Sequence, residues 1–179
     1  MQTKEFLDLV WSDQGYYCVV SKDQQDNVTP IFLNTVDDAI AKVNVLLKNN
    51  LDVYYTCSTW VENTDRKAKN AREQKIFWLD IDCGFDAKKR RYKDYKTKED
   101  AMVALRKFTD VTKLPAPMVV DSGNGLHCYW PFVDPVAPAV WKPIAQGLKF
   151  LCVKHGFKSD SVCTSDISRI LRVPGTKNF

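Results

Sequence analysis

The chain has 179 residues, of which 45% are hydrophobic and 27% charged, and its net charge is +4, as expected for one soluble globular domain. No apolar run reaches the length of a membrane span and no signal-peptide pattern opens the chain, so we expect a cytoplasmic protein, in a host cytoplasm if the gene is viral. The six cysteines show no C-x-x-C spacing, which predicts reduced thiols and no structural zinc.

Strands and helices alternate in the first half of the chain. Thr35 caps a predicted helix, with Asp38 placed as in a capping box. The polar stretch Glu62–Glu73 predicts a loop or a short exposed helix. Predicted strands cover Gly15–Ser21, Thr29–Leu33, Asp52–Cys57 and Ile76–Asp82, where β-branched and aromatic residues cluster.

The second half continues the same alternation. Thr97 begins a helix, and another runs from Pro138 to His155 with Val140, Ile144, Leu148 and Leu151 on its buried face. Predicted strands cover Met118–Asp121, Leu126–Phe132 and Ile170–Val173. The mixture indicates an α+β fold with a largely antiparallel sheet.

The strand Ile76–Asp82 ends in two carboxylates on one face. Because alternate side chains of a strand share a face, Asp80 and Asp82 point the same way and Phe77, Leu79 and Ile81 point the other way. Two carboxylates this close repel each other, and a divalent cation such as Mg²⁺ or Mn²⁺ removes the conflict. Two exposed aspartates at a strand end are also common, so the spacing alone is weak.

A glycine-rich turn forms a second motif, Ser122-Gly123-Asn124-Gly125-Leu126-His127. Asn-Gly between strands is an ordinary hairpin signal. The turn also leaves backbone N–H groups for phosphate, with Ser122 at its start. His127 is expected on the face opposite Leu126 and Cys128, where imidazole can donate to triphosphate oxygens.

The third motif places Asp160 and Asp166 before two arginines. Arg169 and Arg172 are three residues apart, so they do not share one strand face. Either arginine can form an ion pair with one of these aspartates, or bind phosphate oxygens in bidentate fashion. The motif therefore offers a third metal-binding carboxylate and a phosphate-binding arginine.

Seven basic and two acidic residues lie between Asp86 and Lys98. Most such runs are solvated loops. Because this one follows the Asp-x-Asp motif directly, we interpret it as a flexible arm that meets phosphates. Its predicted contacts are Lys88, Lys89, Arg90, Arg91, Tyr92 and Lys93, with Tyr92 and Tyr95 available to stack on unpaired bases.

The order of these motifs resembles the archaeo-eukaryotic primase superfamily, in the form of phage and plasmid primase-polymerases. The resemblance runs from Tyr54 to Phe179 and is carried by Phe77–Gly84, Asp121–Trp130 and Arg169–Asn178. It implies an N-terminal α/β unit plus a module similar to an RNA-recognition motif, with a mainly antiparallel sheet. It also implies that residues 1–179 are a single catalytic domain and a fragment of a longer protein that has a C-terminal helicase or other replication domain.

The resemblance implies roles residue by residue. Asp80, Asp82 and Asp160 would be the catalytic carboxylates that hold two Mg²⁺ or Mn²⁺ ions, with Asp166 as the alternative third ligand. The nucleotide-binding residues would be Ser122, Gly123, Asn124, His127, Arg169 and Arg172.

The implied activity is template-directed joining of NTPs or dNTPs on single-stranded DNA, alongside a helicase. Two alternatives stay open. One is a non-catalytic single-stranded-DNA-binding initiator module, which would incorporate no nucleotide. The other is a metal-dependent nuclease of the ribonuclease H type, which would need no triphosphate.

Overall fold

The computed structural model describes residues 1–177 and 179, which form four α-helices and ten β-strands. The helices are α1 (Thr3–Val10), α2 (Val36–Lys48), α3 (Lys98–Thr112) and α4 (Pro138–Lys154). The strands are β1 (Tyr17–Lys22), β2 (Val28–Leu33), β3 (Asp52–Thr56), β4 (Ser58–Trp60), β5 (Ala71–Asp82), β6 (Phe85–Asp86), β7 (Arg91–Tyr92), β8 (Met118–Asp121), β9 (Gly125–Val136) and β10 (Ile170–Arg172).

Two four-stranded sheets and one short hairpin make up the β-structure. The strand orders are β10-β3-β1-β2 and β4-β5-β9-β8, and β6 pairs with β7. The first sheet is antiparallel at every pairing, and so are the β8–β9 and β6–β7 hairpins. The predicted α+β class with a mainly antiparallel sheet is confirmed.

The chain divides into two compact units. Unit 1 comprises Met1–Ile76, Pro131–Trp141 and Ile167–Phe179. Unit 2 comprises Phe77–Trp130 and Lys142–Asp166. The predicted carboxylates, the glycine-rich turn and the basic segment belong to unit 2, whereas Arg169 and Arg172 belong to unit 1.

Unit 1 buries an aromatic core on its antiparallel sheet. Phe6 of α1 meets Tyr55 of β3 edge to face at 5.4 Å, and Trp11 donates its indole N–H to the Thr56 carbonyl. Trp60 is fully buried and donates to the Thr56 hydroxyl. This core holds β3 and β10 in register, with Arg172 opposite Tyr54.

Unit 2 buries one face of β5 against its helices. Leu79 and Ile81 pack in a core that includes Leu105 and Phe108 of α3 and Leu148 of α4. This burial confirms the predicted alternation and leaves the face that carries Asp80 and Asp82 for other contacts. Phe77 packs against the same core, as expected.

The helix starts predicted at Thr35 and Thr97 are confirmed, because each threonine side chain accepts the backbone N–H of the residue three positions later.

The predicted buried face of α4 is wrong in part. Val140 and Ile144 are exposed, and Trp141, Ala145 and Cys152 are buried beside Leu148. The N-terminal helix α1, the short strand β4 and the hairpin β6–β7 were not predicted, and β5 begins within the stretch assigned to a loop.

The six cysteines are free thiols, as predicted, and all six are buried. Burial raises the pKa of the Cys18 and Cys128 thiols to about 12, so both stay protonated at neutral pH. Among the described residues, no helix combines the length and apolar character that crossing a bilayer requires.

Candidate functional site

Asp80 and Asp82 project from the face of β5 opposite the core of unit 2. Trp78, two residues earlier on the same face, is fully buried. The Asp80 side chain is 20% exposed and that of Asp82 is 56% exposed. Exposure on this face of the strand therefore increases from Trp78 through Asp80 to Asp82. Both carboxylates lie on the same face, as the alternation predicted.

Asp160 lies beside Asp80 through a backbone hydrogen bond. Its N–H donates to the Asp80 carbonyl at 2.8 Å. Its Oδ1 accepts the N–H groups of Val162 at 2.9 Å and Cys163 at 3.1 Å, which caps the following turn. Trp78 fastens the same turn, because its indole N–H donates to the Cys163 carbonyl at 3.0 Å.

These contacts bring three possible metal ligands together. Oxygen atoms of Asp80 and Asp160 and the Cys163 sulfur lie within 4.8 Å of one another. Carboxylate oxygens suit Mg²⁺ and Mn²⁺, whereas a thiol suits softer ions. The two carboxylates therefore fit a hard divalent ion, and Cys163 was not predicted from the sequence because only the fold brings it here.

Asp82 takes a different partner from the one predicted. Its Oδ1 lies 3.1 Å from the Lys93 ammonium, and within the described part of the chain it is not a member of the group around Asp80. Of the three carboxylates expected to cluster, Asp80 and Asp160 lie together, whereas Asp82 forms an ion pair with Lys93.

Asp94 is a further carboxylate at this end of β5. It accepts the Asp82 backbone N–H at 3.3 Å. Burial raises the pKa of the Asp94 carboxyl, and the nearby charges of Asp82 and Asp160 act in the same direction. The chain brings Asp94 here because Tyr95 pairs with Cys83 in a parallel bridge just past β5.

His127 faces Asp80 from β9. Its Nε2 lies 3.6 Å from an Asp80 carboxylate oxygen, and its Nδ1 is 3.2 Å from the Tyr129 hydroxyl. The ring is 5% exposed, while Leu126 and Cys128 lie in the core on the other face. The predicted orientation is therefore confirmed, with Nδ1 hydrogen-bonded to Tyr129 and Nε2 facing Asp80.

The turn before β9 uses most of its own hydrogen-bonding groups. The Ser122 N–H donates to the Gly125 carbonyl, and the Gly123 N–H donates to Asp121 Oδ1 at 2.7 Å. Asp121 is also bound by Lys98, which lowers the pKa of its carboxyl. The expectation of free amides is wrong at Ser122 and Gly123, because the turn closes on itself. Within the described part of the chain, the Asn124 N–H donates no hydrogen bond in the turn, and the Asn124 carbonyl accepts the Cys83 N–H.

Gly125 is required by close packing. A Cβ at this position would overlap the Ile81 carbonyl oxygen and come within 3.2 Å of the Asp82 Cα. A larger residue would therefore push the turn away from the end of β5 that carries the carboxylates.

We expect Gly125→Ala to lower the free energy of unfolding by about 1–3 kcal/mol, since the atoms it meets are backbone and cannot step aside. Gly147→Ala is the matched control, because Gly147 lies inside α4 with open space around its Cα. That change should raise stability by about 0.5–1 kcal/mol through helix propensity. Urea unfolding of both variants checks the difference, and equal effects would contradict the packing argument.

The basic segment folds as the hairpin β6–β7, which we call the basic hairpin (residues 85–92). Lys88, Lys89, Arg90 and Arg91 are exposed around its turn. Only Lys89 has an ion-pair partner among these four within the described residues, Asp86 at 3.9 Å. Lys93, just past the hairpin, instead contacts Asp82.

Tyr95 does not have the exposed position predicted for it. Its ring packs on Phe157 with centroids 6.1 Å apart, and its hydroxyl accepts the Lys158 N–H. The residue helps to position the strand end and is not a stacking surface.

A half-open cavity of about 400 Å³ separates the basic hairpin from the end of β5. Its lining contains both basic and acidic groups. The basic residues are Lys89, Arg91, Lys93 and Lys158, and the others are Asp82, Asp86, Asp94 and Tyr92. Asp82 therefore lies on the wall of an open cavity that also carries four basic side chains.

Arg172 is held within unit 1. Its guanidinium lies 3.1 Å from Asp52, donates to the Tyr54 hydroxyl at 2.9 Å and donates to the Lys177 carbonyl. It also covers the Tyr54 ring. These contacts hold the Arg172 side chain through a partner, Asp52, that the sequence did not indicate, and its nucleotide contact stays a prediction.

The remaining residues of the third motif are distributed over both units. Asp166 donates its N–H to the Cys163 carbonyl, and among the described residues it is not in the group formed by Asp80, Asp160 and Cys163. Arg169, in unit 1, accepts the Cys57 N–H at its carbonyl. Asn178, at the end of the matched segment, lies outside the described residues.

Comparisons with known proteins concern the fold. No protein-family model and no curated protein matches the sequence. The AEP domain of the primase-polymerase of cyanophage S-2L is similar over 96% of this chain and 80% of its own, with a TM-score of 0.59 and 17% identity.

Two structures of the primase RepB′ are also similar. Its catalytic domain in complex with initiator DNA is covered over 79% of its length, with a TM-score of 0.59 and 14% identity. A longer RepB′ structure is covered over 51%, with a TM-score of 0.57 and 15% identity. The chain has the fold of archaeo-eukaryotic primase domains, as the motif order predicted.

Proposed function

We propose that this chain is a template-directed nucleotidyltransferase that joins nucleotides on single-stranded DNA, as a primase, a polymerase or both. The observation that carries the proposal is the convergence of Asp80, Asp160 and His127, which come from three separate segments of unit 2. The fold shared with primase domains supports it.

The carboxylates of Asp80 and Asp160 would hold a divalent ion, Mg²⁺ or Mn²⁺. When bound, such an ion supplies neutralisation of phosphate charge and acidification of an attacking hydroxyl. Asp160 reaches this position because its Oδ1 caps the turn and its N–H fixes it to β5. Asp82 would join a second ion after releasing Lys93, whose ammonium neutralises it in this structure.

His127 would donate a hydrogen bond to the triphosphate. The Tyr129 hydroxyl fixes the ring from Nδ1, which leaves Nε2 on the side of Asp80. Ser122 would contribute its hydroxyl and Asn124 its backbone N–H. Arg169 and Arg172 stay predicted nucleotide contacts, and in this structure Arg172 contacts Asp52 and Tyr54.

The direct test supplies single-stranded DNA template, with and without an annealed primer, with NTPs and dNTPs in separate reactions and with Mg²⁺ or Mn²⁺. We expect template-dependent products in at least one combination. An initiator module would give none in any combination, and a nuclease would shorten the template without triphosphates.

Exposed cations on the basic hairpin would contact template phosphates. We expect replacement of Lys88, Lys89, Arg90 and Arg91 by glutamine to weaken single-strand binding and to reduce the slope of log K against log salt by about 0.7 for each lost contact. Fluorescence anisotropy across a salt series measures this slope.

The matched control replaces four exposed lysines elsewhere, Lys48, Lys69, Lys142 and Lys154, by glutamine. It removes the same charge and should leave the slope closer to that of the wild type. An equal loss of slope in both variants would show that net charge, and not the hairpin, governs binding.

A further inference from the structure

Two large aromatic side chains face each other across the basic hairpin. Phe85 of β6 is the cross-strand partner of Tyr92 of β7. Their ring centroids are 5.3 Å apart at an interplanar angle of 75°. Phe85 is 57% exposed and Tyr92 is 53% exposed, so the pair is ordered by mutual contact and not by burial in a core.

The geometry leaves aromatic surface available on Phe85. In an edge-to-face pair, one ring points its edge at the face of the other, so Tyr92 can cover at most one face of Phe85. Tyr92 has a second contact in addition to Phe85, because the Lys96 ammonium lies over its ring, 5.3 Å from the centroid. Phe85 therefore presents at least one face that Tyr92 does not cover.

The surroundings of this pair are positively charged. Lys88, Arg90 and Arg91 are exposed in the same hairpin and have no ion-pair partner among the residues described. The segment Asp86–Lys98 carries seven basic and two acidic residues, a net charge of +5, whereas the whole chain carries +4. Phe85 is therefore an exposed apolar ring surrounded by basic side chains that lack ion-pair partners among the residues described. Such a surface is complementary to a ligand in which flat apolar groups are linked by anionic groups.

We propose that Phe85 is a stacking platform for an unpaired base of single-stranded DNA, positioned by Tyr92, while the hairpin cations bind the adjacent phosphates. This role rests on the proposed function. Stacking on an aromatic face tolerates every base and requires that the base be unpaired, so Phe85 would select single strands without selecting sequence.

The platform stands at the edge of the candidate site. Tyr92 and Arg91 line the same cavity as Asp82. A base stacked on Phe85 would therefore place its strand beside the carboxylates of β5, which is where a template must pass.

The test distinguishes binding energy from contacts to bases from binding energy from contacts to phosphates. Binding of oligo-dT is compared with binding of an abasic oligonucleotide of equal length and charge, by fluorescence anisotropy without metal ion or nucleotide. We expect the wild type to prefer oligo-dT by about 5- to 150-fold, the range for stacking one base. Phe85→Leu should lose most of that preference and keep its affinity for the abasic strand.

Phe150→Leu is the matched control, because Phe150 is 63% exposed on α4, away from the hairpin in sequence. It should keep the full preference for oligo-dT. The proposal is overturned by equal wild-type affinities for the two oligonucleotides, by retained preference in Phe85→Leu, or by an equal loss in both variants.

Primer extension by the same proteins distinguishes this proposal from the proposed function. Synthesis by a wild type that shows no base preference would refute the platform and leave the polymerase standing. A wild type that prefers oligo-dT but synthesises no product would support the platform and refute the polymerase.

Discussion

Asp80→Asn is expected to lower nucleotide incorporation by about 1,000-fold, with the fold intact. The change removes one charge from the pair of carboxylates that would hold the divalent ion, whose stabilisation of developing charge is worth several kcal/mol. The backbone carbonyl that accepts the Asp160 N–H is kept. Primer extension under single-turnover conditions measures the loss, and calorimetric titration with Mn²⁺ measures ion binding directly.

Asp134→Asn is the matched control, because Asp134 is an exposed aspartate on strand β9 of unit 1. It should synthesise at the wild-type rate. Asp160→Asn is the complementary variant, since an amide oxygen can still accept the Val162 and Cys163 N–H groups while it binds the ion poorly. Near wild-type synthesis by either Asp80→Asn or Asp160→Asn would remove that carboxylate from the metal assignment.

Trp78→Ala is expected to cost about 3–5 kcal/mol of unfolding free energy, the range for emptying a fully buried aromatic site. Trp78 also holds the turn that begins at Asp160, through its hydrogen bond to the Cys163 carbonyl. Trp78→Phe removes the indole donor and part of the buried volume, while the Cys163 carbonyl keeps the Asp166 N–H as a donor, so the lost bond and the smaller ring together should cost about 1–3 kcal/mol. Urea unfolding of both variants provides the measurement.

Trp130→Phe is the control for the lost donor. Its indole N–H also donates to a backbone carbonyl, that of Pro115 at 2.7 Å, but the bond is exposed. Water can replace it, so the loss should be under about 1 kcal/mol. If Trp78→Phe were as mild as Trp130→Phe, the turn would not depend on this bond.

Local pattern was sufficient to predict the elements that hold the carboxylates. Alternation in β5 gave the correct face for Asp80, and threonines with their capping partners gave the correct starts of α2 and α3. These signals are local, because they depend on backbone periodicity and on contacts three residues apart. The fold class followed from the order of such elements.

Partners brought together by long-range folding were not predicted. Nothing near Arg172 in the sequence indicates Asp52, which is 120 residues away and reaches it only through the pairing of β3 with β10. Lys93 and Asp94 reach Asp82 because the basic hairpin returns the chain to the end of β5. Both partners looked like ordinary members of a charged run.

The misassigned face of α4 has a similar cause. Val140 and Ile144 fit a helical apolar stripe as well as Trp141 and Ala145 do. The sheet decides between them by fully burying Trp141, whose indole N–H donates to the Ile76 carbonyl within unit 1. An isolated helical pattern contains no information about that acceptor.

Charge concentrated in the segment Asp86–Lys98 also affects the kinetics of encounter. Because this segment carries +5 and the whole chain +4, the other residues together carry −1. A polyanion approaching from bulk solvent is thus attracted to one short stretch and repelled weakly elsewhere. Long-range steering of this kind orients a diffusing molecule before contact and accelerates capture most at low ionic strength. The segment would then set how quickly a strand arrives, separately from how firmly it is held.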